Sequence, residues 1–347
     1  MTIWRPPYLG LSDSGELAER AAALLALATP CRLCPHRCAV DRLSGFPGTC
    51  GVPAGAIVAA ATAHFGEEPE ISGSRGSGTV FFGGCNLRCV YCQNAAISQD
   101  AGMRRRPVAT TDDLAATMLD LSGRGVHNIN WVTPSHVVPW ALAGLAAAAA
   151  RGLALPLVYN SSAYDSVEVL RLLDGVVDVY LPDLRYSDDD CAHEFSGVDG
   201  YVAASRQAVV EMARQVGTVN DVGPDRTLRR GMIVRLLVLP NDISGVRESL
   251  AFLRDELGTG VTIALMSQYF PSHKADGEIL LSRRTSVREY DRVLELADRM
   301  GFENALVQEM EATDFYRPDF DLGDEPFADA ARFKDGGAQS EKVDGSG

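Results

Sequence analysis

The chain has 347 residues, a formal net charge of −14 and an isoelectric point near 4.9. This acidic balance argues against a nucleic-acid partner and against an anionic membrane surface, because both require a basic face. The N-terminus lacks the cationic region and apolar stretch of a signal peptide, and the apolar run 141–150 is far shorter than the ~20 residues of a membrane helix. We therefore expect a cytoplasmic protein.

The first predicted element is a helix over 15–28, rich in alanine and leucine and ended by Pro30. It leads into four cysteines within twenty residues, which we name the four-cysteine knot. These are Cys31, Cys34, Cys38 and Cys50. Four thiolates can close a metal site, and both a structural zinc and an auxiliary [4Fe-4S] cluster use four, so the spacing leaves the metal open. Reduced structural thiols are the simplest alternative.

A second cysteine group directly follows the first strand of the predicted sheet, which covers 79–82. It has the spacing C-x3-C-x2-C and consists of Cys85, Cys89 and Cys92. Three thiolates can hold three irons of a [4Fe-4S] cube, and no fourth cysteine follows nearby, so one iron stays open. A structural zinc needs four closed ligands, and this stretch has neither a second pair nor a histidine close by. We expect the two groups to bind metal independently, since a linker rich in glycine and serine separates them.

From residue 78 onward, a short apolar strand followed by an amphipathic helix repeats about six times, which predicts a parallel sheet in an α/β fold. The predicted strands cover 79–82, 128–133, 155–160, 176–181, 232–239 and 261–266. The predicted helices cover 112–121, 138–150, 166–173, 201–216, 246–257 and 287–300. Six such units make a partial (β/α)6 TIM-like barrel, whose chemistry belongs at the carboxyl ends of the strands. We expect an N-terminal helix and knot over 1–77, a core over 78–312 and an acidic, disordered tail over 313–347.

The stretch from Gly83 to Asn94, with Tyr91 before the third cysteine, closely resembles the cluster motif of radical SAM enzymes. Residues 78–312 resemble the core of that family. The resemblance implies that S-adenosylmethionine (SAM) binds the open iron, and that an electron from the reduced cluster releases a 5'-deoxyadenosyl radical. The knot and the segments 126–137 and 158–165 narrow the resemblance to PflX-type proteins, which are related to pyruvate formate-lyase activating enzymes.

The resemblance also implies which residues contact SAM. Where the family carries a Gly-Gly-Glu segment for the SAM amino group, this chain has Thr133-Pro134-Ser135-His136, so Ser135 or a neutral His136 would have to accept that group. The segment after the fourth strand resembles the family's Asp-Leu-Lys, with arginine for lysine. The predicted cofactor-binding residues are Tyr91, Gln93, Asn94, Ser135, Asn160, Asp183, Arg185 and Gln268. No catalytic residue is predicted.

The function that the resemblance implies is reductive SAM cleavage for hydrogen abstraction, as in the activating enzymes of glycyl radical enzymes. Its partners would be a glycyl radical enzyme or another protein or peptide substrate, and a low-potential donor such as flavodoxin or ferredoxin. The altered Gly-Gly-Glu position leaves open a radical SAM enzyme that modifies another peptide or a small molecule. A non-catalytic iron-sulfur electron carrier is the third hypothesis, which is disfavoured because a carrier has no need of a vacant iron site.

Overall fold

The computed structural model describes residues 4–309, Phe320, Pro326 and Phe327. The strands in these ranges are β1 Val58–His64, β2 Ser77–Phe82, β3 Ile129–Val132, β4 Leu157–Ser161, β5 Val179–Pro182, β6 Asp221–Val222, β7 Leu228–Leu237, β8 Thr262–Met266 and β9 Ala305–Val307. The α-helices are α1 Tyr8–Ser14, α2 Glu16–Ala26, α3 Pro69–Ser72, α4 Ala95–Ser98, α5 Thr111–Gly123, α6 Val138–Ala150, α7 Val167–Leu172, α8 Asp189–Ser196, α9 Tyr201–Val216, α10 Val246–Leu257 and α11 Val287–Arg299. None of these helices is long and apolar enough to cross a membrane.

The six predicted strands form the parallel sheet that the alternating pattern indicates. Strands β2, β3, β4, β5, β7 and β8 pair in parallel in chain order, and β9 adds a further parallel strand beside β8. In the described part of the chain β1 and β9 do not pair with each other, so the strand order stays open. The prediction of an α/β fold with a parallel sheet is confirmed.

The helices between the strands begin and end close to the predicted positions. Helix α5 starts with a capping box, in which the Asp113 amide donates to Thr110 Oγ1 over 3.1 Å and the Thr110 amide donates to Asp113 Oδ2 over 2.9 Å. Apolar helix residues such as Leu142 and Leu145 belong to one buried core with Trp131 of β3. This core covers one face of the sheet and leaves the other face for the site.

The opposite face of the sheet starts with an apolar layer and becomes polar toward the carboxyl ends. Val158 and Ile233 belong to one buried cluster with Ile71. Side chains two residues apart along a strand share a face. Asn160 and Arg235 therefore stand on that same face, one layer nearer the carboxyl ends of β4 and β7.

Strands β1, β6 and β9 were not expected from the sequence. Strand β1 lies inside the segment assigned to the N-terminal region, yet it pairs antiparallel with β2, with His64 opposite Ser77. Its alanine-rich sequence has weak strand propensity, which explains why the pattern did not indicate it. The sheet therefore begins before residue 78, although the division into three regions itself stays a prediction.

The predicted acidic tail, 313–347, lies outside the described residues apart from Phe320, Pro326 and Phe327. Phe320 contacts Phe81 edge-on, with ring centroids 5.4 Å apart. Phe327 stacks on His64, with ring centroids 4.0 Å apart. These two aromatic residues thus pack against β1 and β2.

Candidate active site

The predicted cluster cysteines lie in the loop that follows β2, residues 83–94, which we name the cluster loop. Its second residue, Gly84, has a φ of +82°, and a Cβ there would lie 2.4 Å from Val52 Cγ2 and 2.9 Å from the Cys50 carbonyl oxygen. Only glycine allows this conformation and this approach. The cluster loop is therefore pressed against the four-cysteine knot one residue before Cys85.

Each of the three sulfur atoms has a polar neighbour. The Leu87 amide donates to Cys85 Sγ over 3.3 Å, Ser196 Oγ donates to Cys89 Sγ over 3.0 Å, and Cys92 Sγ lies 3.3 Å from Ser98 Oγ. Burial, together with the neighbouring Cys89, raises the pKa of Cys85 to about 12. Burial also raises the pKa of Cys89. These thiols are therefore protonated without a metal, and a metal that binds thiolates must release their protons.

The three cysteines line a cavity of about 220 Å³ at the carboxyl ends of the strands. Seven of the eight predicted cofactor-binding residues line the same cavity: Tyr91, Gln93, Asn94, Asn160, Asp183, Arg185 and Gln268. They come from the cluster loop and from the ends of three strands, β4, β5 and β8. The folding of the sheet thus brings together side chains that are spread over 178 positions of the sequence from Tyr91 to Gln268.

Ser135 is the predicted residue that the structure does not bring to the cavity. It is 1% exposed and lies beside Asp165, behind the lining residues. His136 is not a lining residue either, because its Nε2 donates to the Gly83 carbonyl oxygen over 2.9 Å. Burial lowers the pKa of His136 to about 3, so the ring is neutral with its proton on Nε2. The prediction that one of these residues receives the SAM amino group gains no support from this geometry.

At the bottom of the cavity, the predicted residues Asn160 and Asp183 form a polar network with Glu67 and Arg235, which the sequence analysis did not single out. Asn130 joins this network from behind the lining. We name these five residues the cavity floor. Glu67 Oε1 accepts from Asn130 Nδ2 over 2.9 Å and from Asn160 Nδ2 over 3.2 Å. Arg235 donates to Glu67 Oε2 over 2.9 Å, to Asp183 Oδ1 over 2.6 Å and to Asn160 Oδ1 over 2.5 Å. One arginine therefore joins two carboxylates and an amide across the inside of the sheet.

The cavity floor is buried, and its charges depend on each other. The side chains of Arg235 and Glu67 are 11% and 9% exposed. Burial alone would lower the pKa of Arg235, but the nearby carboxylates, Asp183 first, raise it above its usual value. Burial raises the pKa of the adjacent Glu68 to about 7, against the opposing effect of Arg235. Arg235 is thus held as a cation by the carboxylates around it.

Two signals in the sequence indicate this floor in retrospect. Arg235 is a single charge within the apolar strand stretch Ile233-Val234-Arg235-Leu236-Leu237, which requires a buried partner. Glu67 and Glu68 are an acidic pair between β1 and β2. Because β1 was not predicted, that pair could not be placed next to the arginine from the sequence.

Two residues that line the cavity with the cysteines have buried donors without a partner. Arg185 NH2 donates to Asp183 Oδ2 over 2.7 Å, but Arg185 Nε and Ser162 Oγ are buried without a hydrogen-bond partner in the part of the chain that the structure describes. Buried donors of this kind are satisfied by a ligand with carboxylate or hydroxyl groups. Three thiols and two unpartnered donors in the lining of one cavity fit an iron-sulfur cluster and SAM.

The four-cysteine knot lies outside the cavity. A Cβ on Gly48 would lie 2.8 Å from Cys38 Sγ and 3.9 Å from Cys50 Sγ, so these two sulfur atoms are neighbours. Backbone hydrogen bonds from Leu33 and His36 favour the thiolates of Cys31 and Cys34, although burial raises the pKa of both thiols. Over the described residues, no three His, Cys, Asp or Glu side chains converge on a point that suits a single metal ion. Metal binding at the knot stays a prediction.

Comparison with known proteins agrees with this site. The model of the radical SAM superfamily matches residues 79–242, which include all three cluster-loop cysteines and the pair Asp183 and Arg185. An uncharacterized protein of Methanocaldococcus jannaschii is 30% identical over 273 residues, which are 78% of this chain and 74% of that protein.

Two solved structures are similar at low sequence identity. The first is a radical SAM methyltransferase from Sphaerobacter thermophilus, with 14% identity, 66% of each chain covered and a TM-score of 0.42. The second is Streptococcus suis SuiB bound to precursor peptide SuiA, with 11% identity, 65% of this chain and 46% of that chain covered, and a TM-score of 0.44. This chain therefore spans less than half of the SuiB chain.

The family model leads to the same conclusion as the site. The family implies an enzyme with a [4Fe-4S] cluster and SAM, and the cavity has the thiols and the unpartnered donors that both would need. The chain belongs to the radical SAM superfamily.

Proposed function

We propose that this enzyme abstracts hydrogen from a protein or peptide substrate, in the manner of the activating enzymes of glycyl radical enzymes. The observation that carries the proposal is the cavity that the three cluster-loop cysteines line together with Arg185, Ser162 and several amide side chains. When bound, the cluster and SAM supply the electron and the primary carbon radical. The roles below belong to the residues of the chain.

The cluster loop and the end of β5 would hold the cofactors. Cys85, Cys89 and Cys92 provide three thiolates for the cluster. The Arg185 guanidinium has a donor free for the SAM carboxylate, and Asp183 is an acceptor for hydroxyl groups. These two residues form an ion pair with each other, and SAM would add its own groups to this pair.

Aromatic side chains would keep water away from the radical. Tyr91 and Tyr269 are 3% and 2% exposed, and their rings meet edge-on with centroids 5.8 Å apart. The Tyr91 hydroxyl lies 2.7 Å from the Tyr186 hydroxyl, which satisfies its polar end. A buried wall of this kind limits side reactions of a reactive intermediate.

The amide groups of the lining favour a peptide substrate. Gln93, Asn94, Asn160 and Gln268 line the cavity, and each amide can both donate and accept a hydrogen bond. A peptide backbone presents the same two groups. A segment of a partner protein would therefore find matching partners along the wall.

One observation favours a second candidate, a radical SAM enzyme that modifies a small molecule or a different peptide. The cavity floor presents Arg235 beside Glu67 and Asp183. A small substrate with a negative and a positive group could therefore pair with the arginine and with a carboxylate. The segment after β3, Thr133–His136, also lacks an acidic residue. The two candidates share the same cofactor chemistry and differ in the substrate.

A metal at the four-cysteine knot and an external electron donor complete the proposal. The four thiols of the knot, two of which have backbone hydrogen bonds, would hold either a zinc ion or an auxiliary [4Fe-4S] cluster. A low-potential flavodoxin or ferredoxin would reduce the cluster of the cluster loop.

The proposal is tested on anaerobically reconstituted protein, with iron, sulfide and zinc counted first. The reduced protein is incubated with SAM, with and without the pyruvate formate-lyase of the same cell, and 5'-deoxyadenosine and the glycyl radical signal are measured. Both products support the activating role, whereas 5'-deoxyadenosine without a glycyl radical favours the second candidate. A cluster that forms without any SAM cleavage contradicts both and leaves an electron carrier.

A further inference from the structure

We propose that the four-cysteine knot is a clamp that holds the cluster loop in its cluster-binding conformation, with His36 and Arg88 as the positioning residues. The inference rests on the proposed function, because it assumes a cluster on Cys85, Cys89 and Cys92. It predicts a dependence in one direction: the cluster needs the knot, whereas the knot keeps its metal without the cluster.

The first contact of the clamp comes from the turn between Cys34 and Cys38. His36 Nε2 lies 2.7 Å from the Asn86 carbonyl oxygen, and since a carbonyl only accepts, this nitrogen carries the proton. The Asn86 side chain in turn donates to the Tyr164 carbonyl oxygen over 2.7 Å, and the His36 ring meets the Tyr164 ring edge-on. A knot side chain thus fixes the residue directly after Cys85.

The second contact runs in the opposite direction, from the cluster loop to the knot. Arg88 NH2 donates to the Thr49 carbonyl oxygen, next to Cys50, and Arg88 NH1 donates to the Ser98 carbonyl oxygen over 3.1 Å. Ser98 Oγ lies 3.3 Å from Cys92 Sγ. One guanidinium therefore links the last cysteine of the knot to the last cysteine of the cluster loop.

A third connection passes through a buried arginine. Arg42 is fully buried, lies 4.7 Å above the Trp140 ring and donates to the His136 carbonyl oxygen. The His136 ring donates to the Gly83 carbonyl oxygen over 2.9 Å. The start of the cluster loop is therefore connected to the knot through a neutral histidine.

The knot has hydrogen bonds within its own backbone, which explains why we expect it to keep its metal without the cluster. The Cys31 amide donates to the Val40 carbonyl oxygen over 2.8 Å, and the Ala39 amide donates back to the Cys31 carbonyl oxygen over 3.0 Å. The cluster loop has backbone support from α8, where the Arg88 and Val90 amides donate to Ser196 and Phe195. Before Arg88, the Gly83 and Gly84 amides donate to the Ile57 and Ile97 carbonyl oxygens, and the Asn86 carbonyl oxygen is held by His36 of the knot.

The test measures how fast a ferrous chelator removes the SAM-responsive EPR signal of the reconstituted holoprotein. We expect His36→Ala to keep the knot metal, to lose the signal at least ten-fold faster than wild type, and to show a broadened SAM-bound spectrum. His36→Gln should restore most of the wild-type behaviour, because its amide can donate to the same carbonyl oxygen. Arg37→Ala is the matched control, since this neighbouring side chain is 67% exposed and pairs with Glu168.

The result that overturns the clamp is a wild-type rate and spectrum for His36→Ala, or equal losses in His36→Ala and Arg37→Ala. Loss of the knot metal from a protein with Cys85, Cys89 and Cys92 all replaced by alanine would overturn the direction of dependence. Failure of the proposed function is a separate result, because the wild-type protein would then show no SAM-responsive signal before any variant is compared.

Discussion

The two cysteine groups use the same ligand atom in different surroundings. The sulfur atoms of Cys85, Cys89 and Cys92 line a cavity whose other walls carry unpartnered donors and a buried ion network. The sulfur atoms of the knot lie within a turn structure whose hydrogen bonds are to protein backbone, and none of its cysteines lines that cavity. Cysteine spacing therefore indicates where a metal can bind. The residues around the cysteines indicate which of the two sites can also bind a substrate or cofactor.

The two groups are also in contact, while their independent binding of metal stays a prediction. The linker composition predicts separate sites, but His36 contacts Asn86, and Gly84 packs against the Cys50 carbonyl oxygen. The groups are thus neighbours in space although 34 residues separate Cys50 from Cys85 along the sequence. The following predictions test how far each group determines the other and the cavity.

The largest expected effect is at the cluster loop itself. Replacement of Cys85, Cys89 and Cys92 by alanine should abolish the SAM-responsive reduced-cluster signal, because no thiolate remains for its irons. The knot should keep its metal, and metal analysis then identifies it as zinc or iron. A variant that contains neither metal would contradict the prediction for the knot.

The next effect concerns the cavity floor, which has no counterpart around the knot. Arg235→Met leaves Glu67 and Asp183 buried without their cation and should lower the free energy of unfolding by about 3–5 kcal/mol. Urea denaturation of the metal-free protein measures the change. Arg105→Met is the control, since its side chain is exposed and should change stability by less than about 0.5 kcal/mol. Equal stability of both variants would mean that the ion network is not needed for folding.

A smaller effect is expected for the pair at the end of β5. Asp183→Asn and Arg185→Met should each weaken SAM binding by roughly 1.5–3 kcal/mol, about ten-fold to over a hundred-fold in affinity, with iron content unchanged. SAM titration measures the affinity, and the melting temperature without SAM is followed in parallel. Unchanged affinity in both variants would assign the pair a structural role and leave Gln268 as the next residue to test.

The smallest expected effect is a pH dependence from Glu68. Its folded-state pKa, raised to about 7, lies above its usual value of 4.5, so the folded protein holds this proton more tightly than the unfolded chain. The contribution to stability is complete below pH 4.5 and is lost as pH rises toward 7, with a slope of at most about 1.4 kcal/mol per pH unit. Glu68→Gln should flatten the pH dependence in this range. An identical profile for wild type and variant would exclude Glu68 as its source.

The parallel strands, most helices and the position at the cavity of seven of the eight predicted cofactor residues could be predicted because their signals are local. Binding of the cofactors by these seven residues stays a prediction. Apolar runs, the Thr110 capping box and the cysteine spacing each lie within one stretch of sequence. The position of cofactor residues follows from a general rule, that chemistry lies at the carboxyl ends of parallel strands.

The cavity floor and the clamp could not be predicted because they depend on contacts between distant residues. Glu67 and Arg235 are 168 positions apart in the sequence. Glu67 follows β1, and the alanine-rich sequence of β1 has no clear strand pattern. Ser135 is a residue that the sequence analysis placed at the cavity although it does not line it. The loop after β3 turns its side chain into the protein interior, beside Asp165.

The most direct test of the central claim is SAM cleavage by single-cysteine variants. Anaerobically reconstituted protein is reduced with dithionite and incubated with SAM, and 5'-deoxyadenosine is quantified over time for wild type, Cys89→Ala and Cys191→Ala. Cys191 lies in α8 outside both cysteine groups, so its variant should cleave SAM at the wild-type rate. Cys89→Ala should form no 5'-deoxyadenosine above background. Cleavage by Cys89→Ala at the wild-type rate would contradict the assignment of the cluster to this loop.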